Sequence, residues 1–129
     1  MAMDFTFDHV LIVVQDLERS IEFYRLLGFS HAQTIQRPDD RVAVMKLEEA
    51  KIELMHQREG LETHRPPRKL TDTGFRHLGF RVGDVKATYE RLKDRIMFDS
   101  PPIPIAGRPG RLTVFFRDPD GTELHLVQE

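Results

Sequence analysis

Four side chains in this sequence have the types and the spacing of a metal site. Two of them, His9 and His77, begin similar segments 68 positions apart, and the other two, Glu53 and His125, fall in the last apolar segment of each half, 72 positions apart. Imidazole and carboxylate are the groups that bind borderline divalent ions such as Zn²⁺, Ni²⁺, Co²⁺, Fe²⁺ or Mn²⁺. A single histidine would be weak evidence, because isolated motif matches are often false. The matched positions of all four predict one site for one divalent metal ion, whose identity the sequence leaves open.

A metal held in this way would act as a Lewis acid on a small substrate. The ion would stabilise the negative charge that appears on the substrate when a proton leaves one of its carbons, and a carboxylate within reach would move the proton. Glu53 is the first candidate for this catalytic role and Glu123 is the second. Arg81 is predicted to bind an anionic group of the substrate, since guanidinium suits carboxylate or phosphate. An ion pair between Arg81 and a carboxylate on the same face is an alternative of at least equal weight.

The segments that carry these residues repeat along the chain. The interval of 68 positions recurs between Asp16 and Asp84. Each Asp follows an alternating, strand-like segment and precedes a helix-like apolar stripe, and the first stripe ends at Gly28, a residue type common just after a helix. Further strands are predicted at 30–36, 42–48 and 51–56 in the first half and at 96–98, 112–117 and 122–128 in the second. The chain therefore reads β-α-β-β-β twice, which is an α+β fold.

Alternation within the last strand of each half decides which way the candidate ligands point. Successive side chains of a strand lie on opposite faces, so the apolar neighbours can pack on a helix while the polar ones face away from it. The helix-facing side would hold Ile52, Leu54, Leu124 and Leu126, and the opposite side would hold Glu53, Glu123 and His125.

The domain organisation follows from this repeat. Residues 1–129 are predicted to form a single domain, with a first module at 1–57, a second module at 74–129 and a charged, proline-containing linker at 58–73. The two modules would pair into an open, curved mixed β-sheet cleft with the helices outside. The segment 100–109 is expected to be a long loop, and such loops often cover binding sites.

Composition excludes several classes of protein. The net charge is −2, from 19 basic and 21 acidic residues, which gives no general attraction to nucleic acid or to an acidic membrane surface. The chain has no cysteine, so disulfides, thiolate catalysis and cysteine-based zinc sites are excluded. No apolar run approaches the length of a membrane span, and the start shows no signal-peptide pattern. We expect a cytoplasmic protein without a nucleic-acid or membrane partner.

Three motifs together resemble the vicinal-oxygen-chelate superfamily, which includes glyoxalases, bleomycin-resistance proteins and extradiol dioxygenases. The motifs cover nearly the whole chain and are His9-x-x-x-x-Val14-x-Asp16-x-x-x-Ser20-x-x-Phe23-Tyr24-x-x-Leu27-Gly28-Phe29, Gly74-Phe75-Arg76-His77-Leu78-x-Phe80-x-Val82 and Phe116-Arg117-Asp118-Pro119-Asp120-Gly121. The resemblance implies paired β-α-β-β-β modules around a metal that binds substrate through adjacent oxygens.

One position departs from the pattern that the resemblance implies. In glyoxalase I-like members the last metal ligand is a Glu seven residues after the first Asp of the Asp-Pro-Asp-Gly turn, and that Glu also moves the proton. Here the turn begins at Asp118 and position 125 is a histidine. A bound imidazole is a good ligand and a poorer base, so the departure leaves metal binding plausible and weakens the transfer of glyoxalase activity.

The leading functional hypothesis is a metal-dependent, glyoxalase-like lyase or isomerase, with a cavity carboxylate transferring the proton. An extradiol-type dioxygenase on Fe²⁺ is the alternative enzyme, because two histidines and a carboxylate suit that ion. A non-catalytic protein that binds small molecules or confers drug resistance is the third hypothesis. We also expect a homodimer, since two short modules leave sheet edges that pairing would cover.

Overall fold

The computed structural model describes residues 3–61 and 69–128. The chain divides into two compact units, Met1–His64 and Arg65–Glu129. Within the residues just given, each unit contains one helix and one four-stranded sheet with both parallel and antiparallel pairs. The predicted α+β class and the two β-α-β-β-β modules are confirmed.

The first unit is built around a sheet in which the first and last strands are neighbours. Its elements are β1 (Val10–Val13), α1 (Leu17–Leu26), β2 (Ser30–Gln36), β3 (Asp40–Leu47) and β4 (Ala50–Gln57), and the strand order is β1-β4-β3-β2. Strand β1 is parallel to β4, and the other pairs are antiparallel. A parallel neighbour requires a crossover connection, and α1 lies in that crossover.

Helix α1 begins and ends where the sequence predicts. The Asp16 carboxylate accepts a hydrogen bond from the backbone N–H of Arg19, so it caps the first turn. Gly28 follows the helix with a φ of 103°, a conformation that side chains with a Cβ rarely adopt. The buried face of the helix contains Leu17, Ser20, Ile21, Phe23 and Tyr24.

The second unit repeats this arrangement, but the strand that follows its helix is shorter than β2 of the first unit. Its elements are β5 (Leu78–Val82), α2 (Val85–Leu92), β6 (Ile103–Pro104), β7 (Leu112–Arg117) and β8 (Glu123–Gln128), and the strand order is β5-β8-β7-β6. Strand β5 is parallel to β8. Asp84 caps α2 by accepting from the N–H of Ala87, as Asp16 caps α1.

The predicted faces of the two last strands are confirmed. Ile52 is 4% exposed and Leu54 is fully buried, whereas Glu53 between them is half-buried. The same alternation holds in β8, where Leu124 and Leu126 are buried and Glu123 and His125 are half-buried. The candidate ligands therefore lie on the faces opposite the apolar core of each unit.

The prediction of a strand at 96–98 is wrong. The N–H of Ile96 donates to the carbonyl of Leu92 and its side chain is buried, so this residue continues the end of α2. The backbone pairing of Phe98 is an isolated bridge with Phe116 and does not extend into a strand. Strand β7 pairs with β8 on one side and with β6 on the other, and β6 lies inside the segment expected to be a long loop.

Two further predictions concern the connections. Residues 62–68 of the predicted linker at 58–73 lie outside the described residues, and the described parts of this linker contain no helix or strand. Neither helix in the described parts of the chain has the length and apolar composition needed to cross a membrane.

Candidate functional site

In the first unit the structure brings His9 and Glu53 together. His9 immediately precedes β1, and Glu53 lies opposite Leu11 in the parallel pair of β1 with β4. The His9 Nδ1 atom is 3.8 Å from Glu53 Oε2, and a third candidate donor, Asp8, joins them within a cluster whose ligand atoms all lie within 4.8 Å of one another. This unit therefore offers one imidazole and two carboxylates at one place.

Asp8 is the hydrogen-bond partner of the His9 ring. Its Oδ2 atom lies 2.7 Å from His9 Nδ1, and Lys51 Nζ is 3.1 Å from the same oxygen. The hydrogen bond with His9, followed by that with Lys51, lowers the pKa of the Asp8 carboxyl. An ionised carboxylate only accepts hydrogen bonds, so the Nδ1 of His9 is the donor in this contact.

Exposed apolar side chains flank the His9–Glu53 pair. Leu11 and Val13 are 41% and 47% exposed, and they follow His9 on the same face of β1. Met55 lies two residues after Glu53 on β4, opposite Val13. An apolar surface with a few convergent polar groups at one end is the usual composition of a small-molecule site.

In the second unit the structure brings His77, Glu123 and His125 together. The rings of His77 and His125 are 4.2 Å apart between centroids, and His77 Nδ1 lies 2.9 Å from Glu123 Oε2. Phe115 on β7 stacks on the His125 ring at 4.9 Å with an angle of 17° between the planes. The turn at Asp118, whose Oδ1 accepts from the N–H groups of Asp120 and Thr122, leads directly into β8 and its two site residues.

Thr113 fixes the protonation of the His125 ring. The Thr113 hydroxyl donates to the carbonyl of Leu126 at 2.7 Å, so its only hydrogen is used there. The contact of 3.1 Å between Thr113 Oγ1 and His125 Nδ1 therefore takes its proton from the imidazole. Burial, followed by the charge of His77, lowers the pKa of His125 below its ordinary value. Both effects favour the neutral form of the ring, in which the hydrogen lies on Nδ1 and Nε2 carries the lone pair.

Besides His77, the carboxylate of Glu123 contacts two arginine side chains. Arg76 Nε and Arg117 Nη2 each lie 3.4 Å from its carboxylate, and its side chain is only 13% exposed. Arg117 also binds Asp99 at 3.0 Å. Glu123 is thus held at the centre of a charged network on the second sheet.

Arg81 lies on the same face of β5 as His77, by alternation, and opposite Val127 of β8. It is exposed, in contrast to the half-buried His77 and His125. Its predicted role as a binder of an anionic group stays a prediction.

Each unit offers groups of the kind that a borderline divalent ion accepts. In the first unit these are the imidazole of His9 and the carboxylate of Glu53. In the second unit they are the imidazoles of His77 and His125, and each of the three rings has Nδ1 near an oxygen atom. Imidazole and carboxylate are the ligands of such ions, and an outer acceptor on the other ring nitrogen is typical of metal-binding histidines.

The sequence did not single out three residues that shape this site: Asp8, Thr113 and Gly79. Asp8 could have been found from the sequence, because it directly precedes His9. Thr113 acts through the register of β7 and β8, and Gly79 acts through its contact with His125, so both depend on pairing between distant segments.

Known proteins resemble this chain over most of its length. A model of the Glyoxalase/Bleomycin resistance protein/Dioxygenase superfamily matches residues 6–126. Lactoylglutathione lyase from Escherichia coli O157:H7 is 26% identical over 133 positions, which cover 94% of this chain and 90% of that protein. A glyoxalase family protein from Enterococcus faecalis is 27% identical with a TM-score of 0.78, over 95% of this chain and 97% of the other. One from Bacillus cereus has a TM-score of 0.80 at 19% identity over 100% and 98% of the chains, which supports the fold alone. Because the family model spans nearly the whole sequence, the chain belongs to the glyoxalase/bleomycin resistance protein/dioxygenase superfamily.

Proposed function

We propose that this protein is a metal-dependent lyase or isomerase of the glyoxalase type, acting on a small substrate with two adjacent oxygens. Family membership and the likeness to a lactoylglutathione lyase support the class of reaction. The observation that carries the proposal is the pair formed by His9 and Glu53, an imidazole and a carboxylate 3.8 Å apart beside exposed apolar side chains.

The proposed metal ligands are His9, Glu53, His77 and His125, holding one divalent ion per chain. Zinc, nickel, cobalt, manganese and iron all accept this donor set, so its metal is to be identified by measurement. When bound, such an ion supplies Lewis-acid stabilisation of negative charge on substrate oxygen.

The proton is moved by a carboxylate of this chain. Glu53 is our first candidate, because it is half-buried and lies next to the imidazole of His9. It accepts the proton from the substrate carbon and returns it to the neighbouring atom, so the enzyme ends the cycle unchanged. Glu123 is the second candidate, because its carboxylate already contacts Arg76, Arg117 and His77.

Position 125 gives the proposed site a different charge from a site with two glutamates. A neutral imidazole at His125 leaves Glu53 as the single anionic ligand, so a divalent ion would keep a net charge of +1. Such a centre favours substrates that bind as anions. Arg81, on the same face as His77, is our candidate for binding an anionic group of that substrate.

The test combines metal analysis with an activity assay. Protein purified without added metal is analysed for bound metals, then stripped, reloaded with each of the five ions and assayed for conversion of lactoylglutathione, the compound in the relative's name. Metal-dependent turnover, with one ion per chain, supports the proposal. Oxygen uptake with iron and a catechol would instead identify a dioxygenase, and tight binding of small molecules without any metal would identify a non-catalytic binding protein.

We also propose a homodimer of cytoplasmic location. Strands β2 and β6 lie at the ends of their sheets, and an unpaired strand edge is commonly covered by association. Light scattering on the purified chain decides the oligomeric state, and a monomer at micromolar concentration contradicts the dimer.

A further inference from the structure

Three residues, Glu123, Thr113 and Gly79, lie around the paired imidazoles of the second unit. We infer that Glu123 and Thr113 are positioning residues that hold His77 and His125 with Nε2 bare, and that Gly79 provides the space for the His125 ring. The importance of these residues for metal binding rests on the proposed function. The tautomer of each ring does not rest on it, and it can be measured in the metal-free protein.

Glu123 selects the ring nitrogen of His77 that carries hydrogen. Its Oε2 atom lies 2.9 Å from His77 Nδ1, and Arg76 and Arg117 both lie within 3.4 Å of the same carboxylate. A carboxylate that is paired with two guanidinium groups accepts hydrogen bonds, so the contact with His77 takes its hydrogen from the imidazole. In the neutral form of His77 that hydrogen resides on Nδ1, and Nε2 carries a lone pair.

Thr113 does the same for His125 by a different route. Its hydroxyl hydrogen is directed to the carbonyl of Leu126, and its oxygen faces His125 Nδ1 at 3.1 Å. Thr113 is 7% exposed, so water has little access to compete for these bonds. A carboxylate in one case and a hydroxyl in the other thus give the two rings the same tautomer.

Gly79 permits the position of the His125 ring. A Cβ at residue 79 would lie 2.7 Å from His125 Nε2 and 3.1 Å from its Cδ2, and the three nearest atoms all belong to that ring. Real Cβ atoms do not approach other heavy atoms so closely, so any side chain at this position displaces the imidazole. Glycine within a strand often marks such a close approach.

The first experiment reads the tautomers directly. Long-range ¹H–¹⁵N spectra of the metal-free, ¹⁵N-labelled protein distinguish the nitrogen that carries hydrogen from the bare one. We expect the Nδ1–H form for both His77 and His125. The Nε2–H form for either ring in the wild type overturns the inference without need of any variant.

Matched variants test the cause of that state. T113V removes the acceptor of His125 with little change in volume, and E123L removes that of His77. Each is expected to shift only its own ring toward the Nε2–H form and to weaken metal binding by about 10–100-fold. T34V is the control, because Thr34 contacts His31 through Nε2 on the exposed surface of the first unit. An unchanged His125 tautomer in T113V contradicts the assignment.

A double-mutant cycle tests Gly79. G79A is expected to move the His125 ring, seen as large shifts of its resonances, and to destabilise the protein. In the H125A background the same change should not lower the free energy of unfolding, because no other atom lies as close to the added carbon. An equal loss of stability in both backgrounds overturns the role inferred for Gly79. If the tautomers are as expected and the wild type binds no divalent ion, the proposed function fails while the positioning roles stand.

Discussion

His125 lies directly opposite Gly79 in the parallel pair of β5 with β8, and Glu53 has the same position relative to Leu11 in the pair of β1 with β4. The two candidate ligands therefore occupy equivalent places in the repeat, although they are different residue types. The residues opposite these two ligands differ, since Leu11 faces Glu53 and Gly79 faces His125. This difference has a steric cause. The ring of His125 fills the space above residue 79, so this half requires glycine where the other half has an exposed leucine.

Replacement of Glu53 should separate catalysis from folding. E53Q keeps the size of the side chain and removes the basic oxygen, so we expect turnover to fall by about 10²–10⁴-fold, the usual contribution of a general base. The measurement is steady-state kinetics on the metal-loaded protein, with the substrate identified in the activity assay.

The control for that prediction is E22Q. Glu22 lies on α1, where its carboxylate is exposed and contacts Arg25, so its loss should leave turnover within twofold of the wild type. Full activity of E53Q at unchanged metal content would assign proton transfer to another group, of which Glu123 is the first to test.

The core of the first unit should depend strongly on Leu54. This residue is fully buried on the helix-facing side of β4, and L54A should lower the free energy of unfolding by about 2–5 kcal/mol, since it loses apolar burial and leaves a cavity. Urea denaturation gives the value. L70A is the control, because Leu70 is 88% exposed and should change stability by less than about 0.5 kcal/mol.

The alternation that predicts Leu54 as core is a local property of sequence, and this explains why the strand faces could be predicted. Side chains two positions apart share a face whatever the strand pairs with. The strand predicted at 96–98 failed because a three-residue apolar segment is compatible with either a strand or the end of a helix. In the structure Ile96 is bound to the last turn of α2, and the sixth strand contains a proline that made it resemble a loop.

The hydrogen bonds of the site could be predicted only from the register of the paired strands. Thr113 is paired with Val127 in the antiparallel ladder of β7 with β8, and this places its hydroxyl beside His125. A shift by one residue would turn Thr113 to the other face. Sequence could therefore predict which histidines matter, and only strand pairing could predict what holds them.

Acid stability should depend on Asp40. Arg37 donates two hydrogen bonds to its carboxylate, of 2.6 and 2.9 Å, and these bonds hold the pKa of Asp40 below its ordinary value of 3.8. Because the folded pKa is the lower one, the pair contributes full stability above pH 3.8 and loses it as the pH falls through the folded pKa.

The measurement is the free energy of unfolding of wild type and D40N between pH 7 and pH 2. The difference between them should be constant above about pH 5 and shrink below pH 3.8. D39N is the matched control, since Asp39 is an exposed neighbour on the same turn. A difference that stays constant down to pH 2 would show that the ion pair does not lower this pKa.

Substitution of Arg81 decides between its two predicted roles. If its guanidinium binds an anionic group of the substrate, R81A should raise KM by about 10–100-fold with kcat nearly unchanged, because a charge-assisted hydrogen bond contributes about 1.5–3 kcal/mol. If Arg81 instead serves an ion pair on the strand face, R81A should lower stability and leave KM as it was. Kinetics and urea denaturation on the same sample separate the two outcomes. R91A is the matched control, because Arg91 is an exposed arginine on α2, away from the strand face that carries His77.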